Sequence, residues 1–592
     1  MKSKSVGISQ RFYFASALSF TPLFTPSLST EVTCIDDTLI SAYYMHVMKG
    51  ADTMRHSFNV LDDPWIPVTL LNGITKDVNM RDAFYLADEI ESVRGDNPLQ
   101  KTAVIRLLTA FITDAYFYGG KISTRADRYA LFKSGHFDRK LIEMYINHCM
   151  ADCGASFDLL DEKRPFMSQA KDSKIDKDPD PNVKRTRGDE SAGMKSAISF
   201  VVHATKGNNT LHWSHEGEAD FAGLSYQDTL LNMLEQYLFA YSNRAYPTAS
   251  LVQLGSSFYI PEDKDLFHTL VRCMRSSEEL GKLPISSPKA PCAWNDSRTL
   301  VPGQPVAEKS FCFAMTFEPR RIVLIPEEDN IIRRCYFAAG WAKDKSDTTW
   351  FDPFVAYRKP AGNKKIGKAN ADFRPCRMDP NRELWRDVGN ITAAKSGSNN
   401  IPPAVLQRIT RMDDQTDMNV EFIGVHVNQA SVDIIMQDRI AVPEKLMTDP
   451  DCAEYLRNDM MLIDRLTNLF YGVSPMRGKG DSGKKYPFEK AKELAPYARQ
   501  RFLAETHQML MGSYLPELES SDLTNNDDRR HLHETLAGHL RSIIDSVCDE
   551  ADRRTANLIN LKRMEECFRN VHIASAYILN EFCAEESGEQ EA

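Results

Sequence analysis

Three histidines, His203, His212 and His215, stand just ahead of the acids Glu216, Glu218 and Asp220. Two imidazoles and a carboxylate are enough to hold a divalent metal that activates water for hydrolysis. The spacing His212-x-x-His215 follows Gly207-Asn208-Asn209, which reads as a turn, so neither imidazole sits on a rigid element. We read the cluster as surface polar residues and keep a metal-dependent nuclease or hydrolase as the alternative. His531 and His533 fall in the first turn of a C-terminal helical pattern and read as solvated. Cys149 and Cys153 are one helical turn apart with no second ligand pair nearby, and read as reduced thiols instead of a zinc site. There is no Walker loop, H-E-x-x-H, G-x-S-x-G or G-x-G-x-x-G. No catalytic residue, metal or cofactor is assigned, and the chain is not read as an enzyme.

A different chemistry is offered by Gly424-Val425-His426-Val427-Asn428-Gln429-Ala430-Ser431. Val432 and Ile434 alternate beyond it like a strand, which puts Asn428-Gln429 at a turn entering that strand. Adjacent amides at a hairpin tip present donors and acceptors to base edges, or wedge between base pairs. By itself an Asn-Gln turn is an ordinary turn. Two basic stretches stand out against a formal charge of −10: residues 357–386 hold nine Lys/Arg against three acids, and 477–501 hold eight against three. The overall charge argues against wholesale coating of nucleic acid, while local basic surfaces are what phosphate contacts need.

Several elements must position these residues. At 592 residues the chain exceeds one core and should divide into two or three domains. No apolar run approaches the ~18 residues of a membrane helix. In Phe58-Asn59-Val60-Leu61-Asp62-Asp63-Pro64-Trp65-Ile66-Pro67-Val68, two prolines hold the Trp-Ile pair extended. Phe58, Val60, Trp65, Ile66 and Val68 read as a strand-like lead into a core, and Leu70-Leu71-Asn72-Gly73 carries the Asn-Gly hairpin signal. Residues 1–53 read as a non-structural extension or a misassigned start, with Met54 just ahead of the signature. Lys2, Lys4 and Phe12-Tyr13-Phe14-Ala15 only loosely mimic an export signal, and a cytoplasmic protein is expected.

From 54 to 440 the pattern is mixed. Helices are predicted over 98–117, 138–150 and 226–241, a strand over 322–325, and a mobile loop over 171–195. From 441 to 592 the pattern is one of long amphipathic helices. Leu532, Leu536, Leu540, Ile543, Ile544 and Val547 form one apolar stripe, and Leu456, Met460, Leu462, Ile463, Leu466 and Leu469 another. With 497–511 and 556–582 they make four segments joined by Gly, Pro, Ser, Asn and Asp, the pattern of a four-helix bundle. The fold class is α+β: a large mixed α/β N-terminal domain followed by a C-terminal four-helix bundle.

Taken in order, the pieces resemble one family, the large subunit (CasA) of the type I-E CRISPR surveillance complex, Cascade. The resemblance rests on the 58–68 signature, then Arg164-Pro165-Phe166-Met167, Gly207-Asn208-Asn209 and Phe317-Glu318-Pro319-Arg320-Arg321. Asp352-Pro353, Leu384-Trp385-Arg386 and Asn428-Gln429-Ala430-Ser431 follow, so that it spans about 57 to 585. It implies a non-catalytic subunit in antiviral defence that contacts the 5′ handle of the CRISPR RNA and the other Cascade subunits. It would read the protospacer-adjacent motif (PAM) in double-stranded target DNA, help open the duplex, and recruit the effector helicase-nuclease. Protein reads the short motif and base pairing reads the rest.

Carried over residue by residue, the resemblance makes Asn428 and Gln429 the wedge beside the motif. Lys343 or Lys345, in the loop after Gly340 and ahead of Trp350, is the finger that enters the minor groove. Asn208, Asn209 and Trp213 lie near the guide RNA, with 214–224 as the contacting loop. The family's glycine loop falls on Tyr241-Ser242-Asn243-Arg244, which has no glycine, so the side chains of Ser242, Asn243 and Arg244 take over the reading. The 214–224 loop also carries Glu216, Glu218 and Asp220, which repel phosphate unless a partner neutralises them. A helical scaffold that binds only proteins is the other alternative.

Overall fold

Trp65 is fully buried where the chain first reaches the core of this computed structural model. Its indole N–H donates to the Val60 carbonyl at 2.9 Å, and its backbone N–H to the Val78 carbonyl at 3.0 Å. Ile66–Leu70 then pairs antiparallel with Thr75–Val78 around the Asn72-Gly73 turn, where Gly73 has φ +81°. That left-handed backbone is open to glycine at no steric cost. The strand-like lead expected from Phe58 is shorter than the pattern suggested. Residues 58–63 turn instead, because the Asn59 side chain accepts the Leu61 N–H at 3.0 Å and Asp63 accepts the Asn59 N–H at 2.7 Å. Such local side-chain bonds compete with a strand ladder.

The structure describes residues 56–177, 192–202, 204, 217, 220–239, 255–282, 292–296, 301, 305–306, 310–343, 351–359, 373–380, 382–395, 398–407, 417–428, 431–470, 495–554 and 561–587. Residues 56–592 form one compact unit of mixed helix and strand, an α+β fold. Helix Pro98–Tyr118 runs through its core. Asn97 caps it by accepting from the N–H groups of Leu99 and Gln100, and Pro98 occupies the first turn, where no N–H is needed. It is buried nearly all round and packs on helices Arg139–Ala151, Tyr226–Phe239 and Leu266–Cys273. The predicted helices at 98–117, 138–150 and 226–241 therefore all form, within a few residues of their expected ends.

Ile322 to Ile325 lie in strand Arg320–Pro326, at the edge of a four-stranded sheet with Ile332–Ala339, Ala192–Ser196 and Asp176–Lys177. This sheet corrects the expected loop at 171–195, of which 176–177 and 192–195 are strand; 178–191 lie outside the described residues. Asp176 is held by Arg321 through a 2.6 Å ion pair in which neither side chain is exposed. A buried pair of that kind needs fixed backbone on both sides.

Towards the C-terminus, Pro450–Leu469, Ala495–Met509, Asn526–Arg554 and Leu561–Ser587 are helices. Ala495–Met509 continues through a π turn, Leu510–Tyr514, into Leu515–Ser520. Asn526–Arg554 packs on both Ala495–Met509 and Leu561–Ser587, and Pro450–Leu469 packs on the same two partners. The stripe from Leu532 to Val547 is buried, as is that from Leu456 to Leu466. His533 corrects the solvated reading. It is buried, stacked on Phe582 at 3.9 Å between centroids and 18° between planes, with the Tyr455 ring tilted against it at 4.8 Å. His531 is exposed. Among the described residues no helix is long and apolar enough to cross a membrane.

Candidate nucleic-acid interface

Strands Asp417–Asn428 and Ser431–Pro443 form a long antiparallel hairpin whose last register pair is Asn428 with Ser431. The connection therefore falls on Gln429 and Ala430, which lie outside the described residues. A bulge between His426 and Val427 shifts the register just before the end, and bulges increase local twist. A third strand, Phe258–Glu262, pairs with Asn419 to Ile423 only. Past Ile423 the ladder has two strands, and five residues at ~3.3 Å each carry it roughly 16 Å further.

The base of the hairpin is held by charge as well as by pairing. Lys101, on the core helix, reaches Glu262 at 2.7 Å and Glu421 at 2.8 Å, with Glu421 only 1% exposed. Arg439 adds a 2.6 Å ion pair to Glu262, and the Gln437 amide donates to Glu421. Burial pushes the Glu421 carboxyl above its ordinary value, with Lys101 pulling the other way and Glu262 adding to the rise. Burial also acts on Glu262, but Lys101 and Arg439 outweigh it and hold that carboxyl below its ordinary value. At Gly424 a Cβ would come within 3.0 Å of the Leu384 and Met378 side chains, so the strand is pressed against the 378–384 segment.

Close by, the motifs in the middle of the chain prove structural. Asp352 is buried against Arg106 at 2.5 Å, tying its segment to the core helix. The Glu318 carboxyl is pushed up to about 8 by burial and accepts from the Gln169 amide at 2.9 Å. Gly340 and Trp341 donate their backbone N–H groups to Pro319 and Glu318 at 3.0 Å each. A Cβ at Gly340 would lie 2.2 Å from the Glu318 carbonyl oxygen, so only glycine fits. The chain leaves this crossing as strand Ala342–Lys343, paired parallel with Pro305–Val306. Lys343 thus sits in a ladder and not in the expected loop; Lys345 lies outside the described residues.

The same holds for Asn208, Asn209, Trp213, Ser242, Asn243, Arg244, Gln429 and the histidines His203, His212 and His215, all outside the described residues. Of the predicted set, Asn428 and Lys343 are described, on different sheets. Among the described residues no group of three or more His, Cys, Asp or Glu is arranged to hold a metal ion. The basic stretch 357–386 is partly spent internally. Arg382 and Arg386 both grip Asp464 of helix Pro450–Leu469 at 2.6 Å, and Trp385 between them stacks on His507 at 5.1 Å. Lys359 lies over the Phe373 ring. The Lys101 network was not anticipated: its members are 161 and 320 residues apart, and nothing local marks them.

A mixed α/β body that carries a two-stranded arm beside long packed helices defines a scaffold which presents a hairpin. The chain belongs to the CRISPR-associated protein Cse1 family, whose model matches residues 59–543. Its fold is similar to that of Cse1 from Acidimicrobium ferrooxidans, with TM-score 0.64 and 19% identity over 90% of this chain and 100% of that one. Cse1 from Thermobifida fusca gives 0.62 and 18% over 89% and 98%. A chain of a CRISPR RNA-guided surveillance complex gives 0.58 and 13% over 88% and 99%. No curated protein matches.

Proposed function

We propose that this chain is the non-catalytic large subunit of a type I-E CRISPR RNA-guided surveillance complex in the cytoplasm. In this reading it recognises the PAM in double-stranded DNA, promotes duplex opening beside it, and recruits the effector helicase-nuclease. Residues 54–440 read the PAM and the guide 5′ end, and 441–592 act as a four-helix bundle that meets partners. Family membership over 59–543 supports the assignment to the complex. The observation that carries the mechanism is the hairpin: a base locked to the core helix by Lys101, and an arm of two strands ending at Asn428.

An amide wedge suits the task because it stays uncharged and hydrogen-bonds the base edges it exposes, offsetting an unstacking cost of a few kcal/mol. Lys343 or Lys345, with Ser242, Asn243 and Arg244, would read the motif, and Trp213 with Asn208 and Asn209 would meet the RNA handle.

The test is Gln429→Ala in the assembled complex. Assembly should be intact, binding to linear duplex impaired, and binding to a pre-melted target nearly normal. If pre-melting gives no rescue, the wedge is wrong. Metal-dependent cleavage of labelled DNA by the purified chain, lost on His215→Ala, would replace this reading with the hydrolase.

A further inference from the structure

Helix Arg139–Ala151 ends on a turn that gathers a thiol, an imidazole and a carboxylate. Asp152 donates its backbone N–H to the His148 carbonyl at 2.9 Å, and Cys153 does the same at 3.2 Å. Gly154 follows with φ +63°, a left-handed position that turns the chain off the helix, and the Ala155 N–H reaches the Cys149 carbonyl at 2.8 Å. Arg164, 11 residues further along, donates its guanidinium to the Cys153 carbonyl.

That turn aligns the side chains. Cys153 Sγ lies 3.7 Å from His148 Nε2, and Asp152 Oδ2 lies 2.7 Å from Nδ1 of the same ring. A carboxylate accepting from Nδ1–H leaves the Nε2 lone pair free to take a proton. Thiol, base and orienting acid in that order are the pattern of an activated nucleophile. Tyr118 stacks on the imidazole with centroids 4.4 Å apart and planes at 16°, which restrains the ring.

The group is reachable. Tyr118, His148 and Cys153 line a cavity of about 640 Å³, a volume in the range of small-molecule sites. Cys153 is half-buried, and the His148 side chain is 30% exposed. By contrast Cys149, one helical turn back, is fully buried, and burial pushes its thiol up to about 12. Left to itself Cys153 would also be a poor nucleophile. Burial first, then Asp152 and Asp114, raise its thiol above the ordinary value, with Arg164 pulling the other way. The thiolate is the attacking form, so reactivity near neutral pH has to come from a base, and among the described residues His148 is within its reach.

We propose that Cys153 is a nucleophilic thiol, with His148 as its base and Asp152 as the positioning residue, that forms mixed disulfides with low-molecular-weight disulfides. The Cys153 proton passes to Nε2 and the sulfur attacks one sulfur of the reagent. A bond forms between those two sulfurs as the reagent's own S–S bond breaks. The departing thiolate carries off the electron pair and takes the proton back from the imidazolium. Cys153 is thereby oxidised and one reagent thiol is released. The modification is stoichiometric and stands or falls separately from the PAM reading.

The experiment treats the reduced full chain with the aromatic disulfide dithiodipyridine and follows each cysteine by peptide-resolved mass spectrometry across neutral and mildly alkaline pH. Cys583 is the internal reference: it too is half-buried and raised by burial, and its thiol donates to the His533 carbonyl at 4.0 Å. At about pH 7 Cys153 should react faster than Cys583 by roughly tenfold or more. An unassisted thiol loses reactivity about tenfold per pH unit below its own value. One served by an imidazole keeps it down to the range, about pH 5 to 8, in which histidines change charge. Cys153 should therefore fall much less than Cys583 between about pH 8 and 7. His148→Gln keeps a hydrogen-bonding side chain of similar size and removes the base. It should slow Cys153 roughly tenfold at about pH 7 and restore the steep profile, with Cys583 and the circular dichroism unchanged. Asp152→Asn should slow Cys153 as well. Equal rates at Cys153 and Cys583, a steep Cys153 profile in the parent chain, or an unchanged Cys153 rate in either variant overturns the proposal.

Discussion

Replacing Lys101 with Met removes the one ammonium that faces both Glu262 and Glu421 at the base of the hairpin. Methionine keeps an unbranched apolar stem, so the packing along the core helix survives while the charge does not. Removing one partner of a buried ion pair costs ~3–5 kcal/mol. Arg439 still meets Glu262 and Gln437 still donates to Glu421, which points to the lower end, ~3 kcal/mol. At ~1.4 kcal/mol per factor of ten, amide exchange through 417–443 should accelerate by about 100-fold if the hairpin opens locally.

The pH dependence fixes the cause. In the parent chain Glu262 titrates below its ordinary value, so its stabilisation is present above that value and lost as pH falls through the lowered one. Glu421, raised by burial, works in the opposite sense: its cost appears as pH rises through the carboxylate range. Without Lys101 both carboxyls rise, so the penalty of the variant grows with pH. The gap to the parent, corrected for intrinsic exchange, should be wide at about pH 7.5 and narrow at about pH 5. Adding Glu421→Gln should recover most of it at the higher pH. A gap that is equal at both values, or wider in acid, refutes the electrostatic account.

Three further substitutions separate backbone from side-chain effects. Gly340→Ala forces a Cβ to 2.2 Å from one backbone atom and 2.4 Å from another, so loss of soluble protein is expected on expression. Gly538→Ala, in helix Asn526–Arg554 with nothing within 4 Å of the added carbon, should raise stability by ~0.5–1 kcal/mol in a denaturant melt. Asp459 is buried beside Tyr514 at 2.7 Å, and burial pushes its carboxyl up to about 7. Its stabilisation is therefore present in acid and lost as pH rises towards about 7. Asp459→Asn should flatten that fall in thermal melts across the range, and an unchanged slope would count against it.

Much of the local structure was legible because its causes are local. Asn97-Pro98 starts a helix, Asn72-Gly73 closes a hairpin, and the Leu532 to Val547 stripe buries one helical face. What escaped depends on partners far along the chain. The strand at 192–196 exists through pairing with 332–339, and the Asp176–Arg321 pair spans 145 residues. Arg382 and Arg386 read as phosphate ligands because charge alone does not distinguish a surface cation from one that grips Asp464. His533 carried a usable signal: it lies four residues before Ala537 and seven before Leu540, on the buried face. The expected site residues were legible mostly through resemblance, and only Asn428 and Lys343 among them are described.

The Lys101 network also bears on how an arm of two strands could do work on a duplex. An isolated two-stranded ribbon is marginally stable and twists freely, so force applied at its tip would be dissipated in bending. Here the third strand stops at Ile423, and at that depth one ammonium on a buried helix ties two adjacent strands together. Gly424 is pressed against Leu384 and Met378 and Val425 is buried, so the flexible length is limited to the residues beyond Val425, where the bulge between His426 and Val427 increases the twist. If the proposed wedge acts at Gln429, its stiffness is set from Lys101 at Glu421, seven residues and roughly 23 Å short of Asn428. Lys101→Met should then impair opening of linear duplex while sparing a pre-melted target, the outcome expected of Gln429→Ala, without touching any residue at the tip. A Lys101→Met complex that opens linear duplex normally, despite faster exchange through 417–443, would mean that the wedge does not rely on a rigid base.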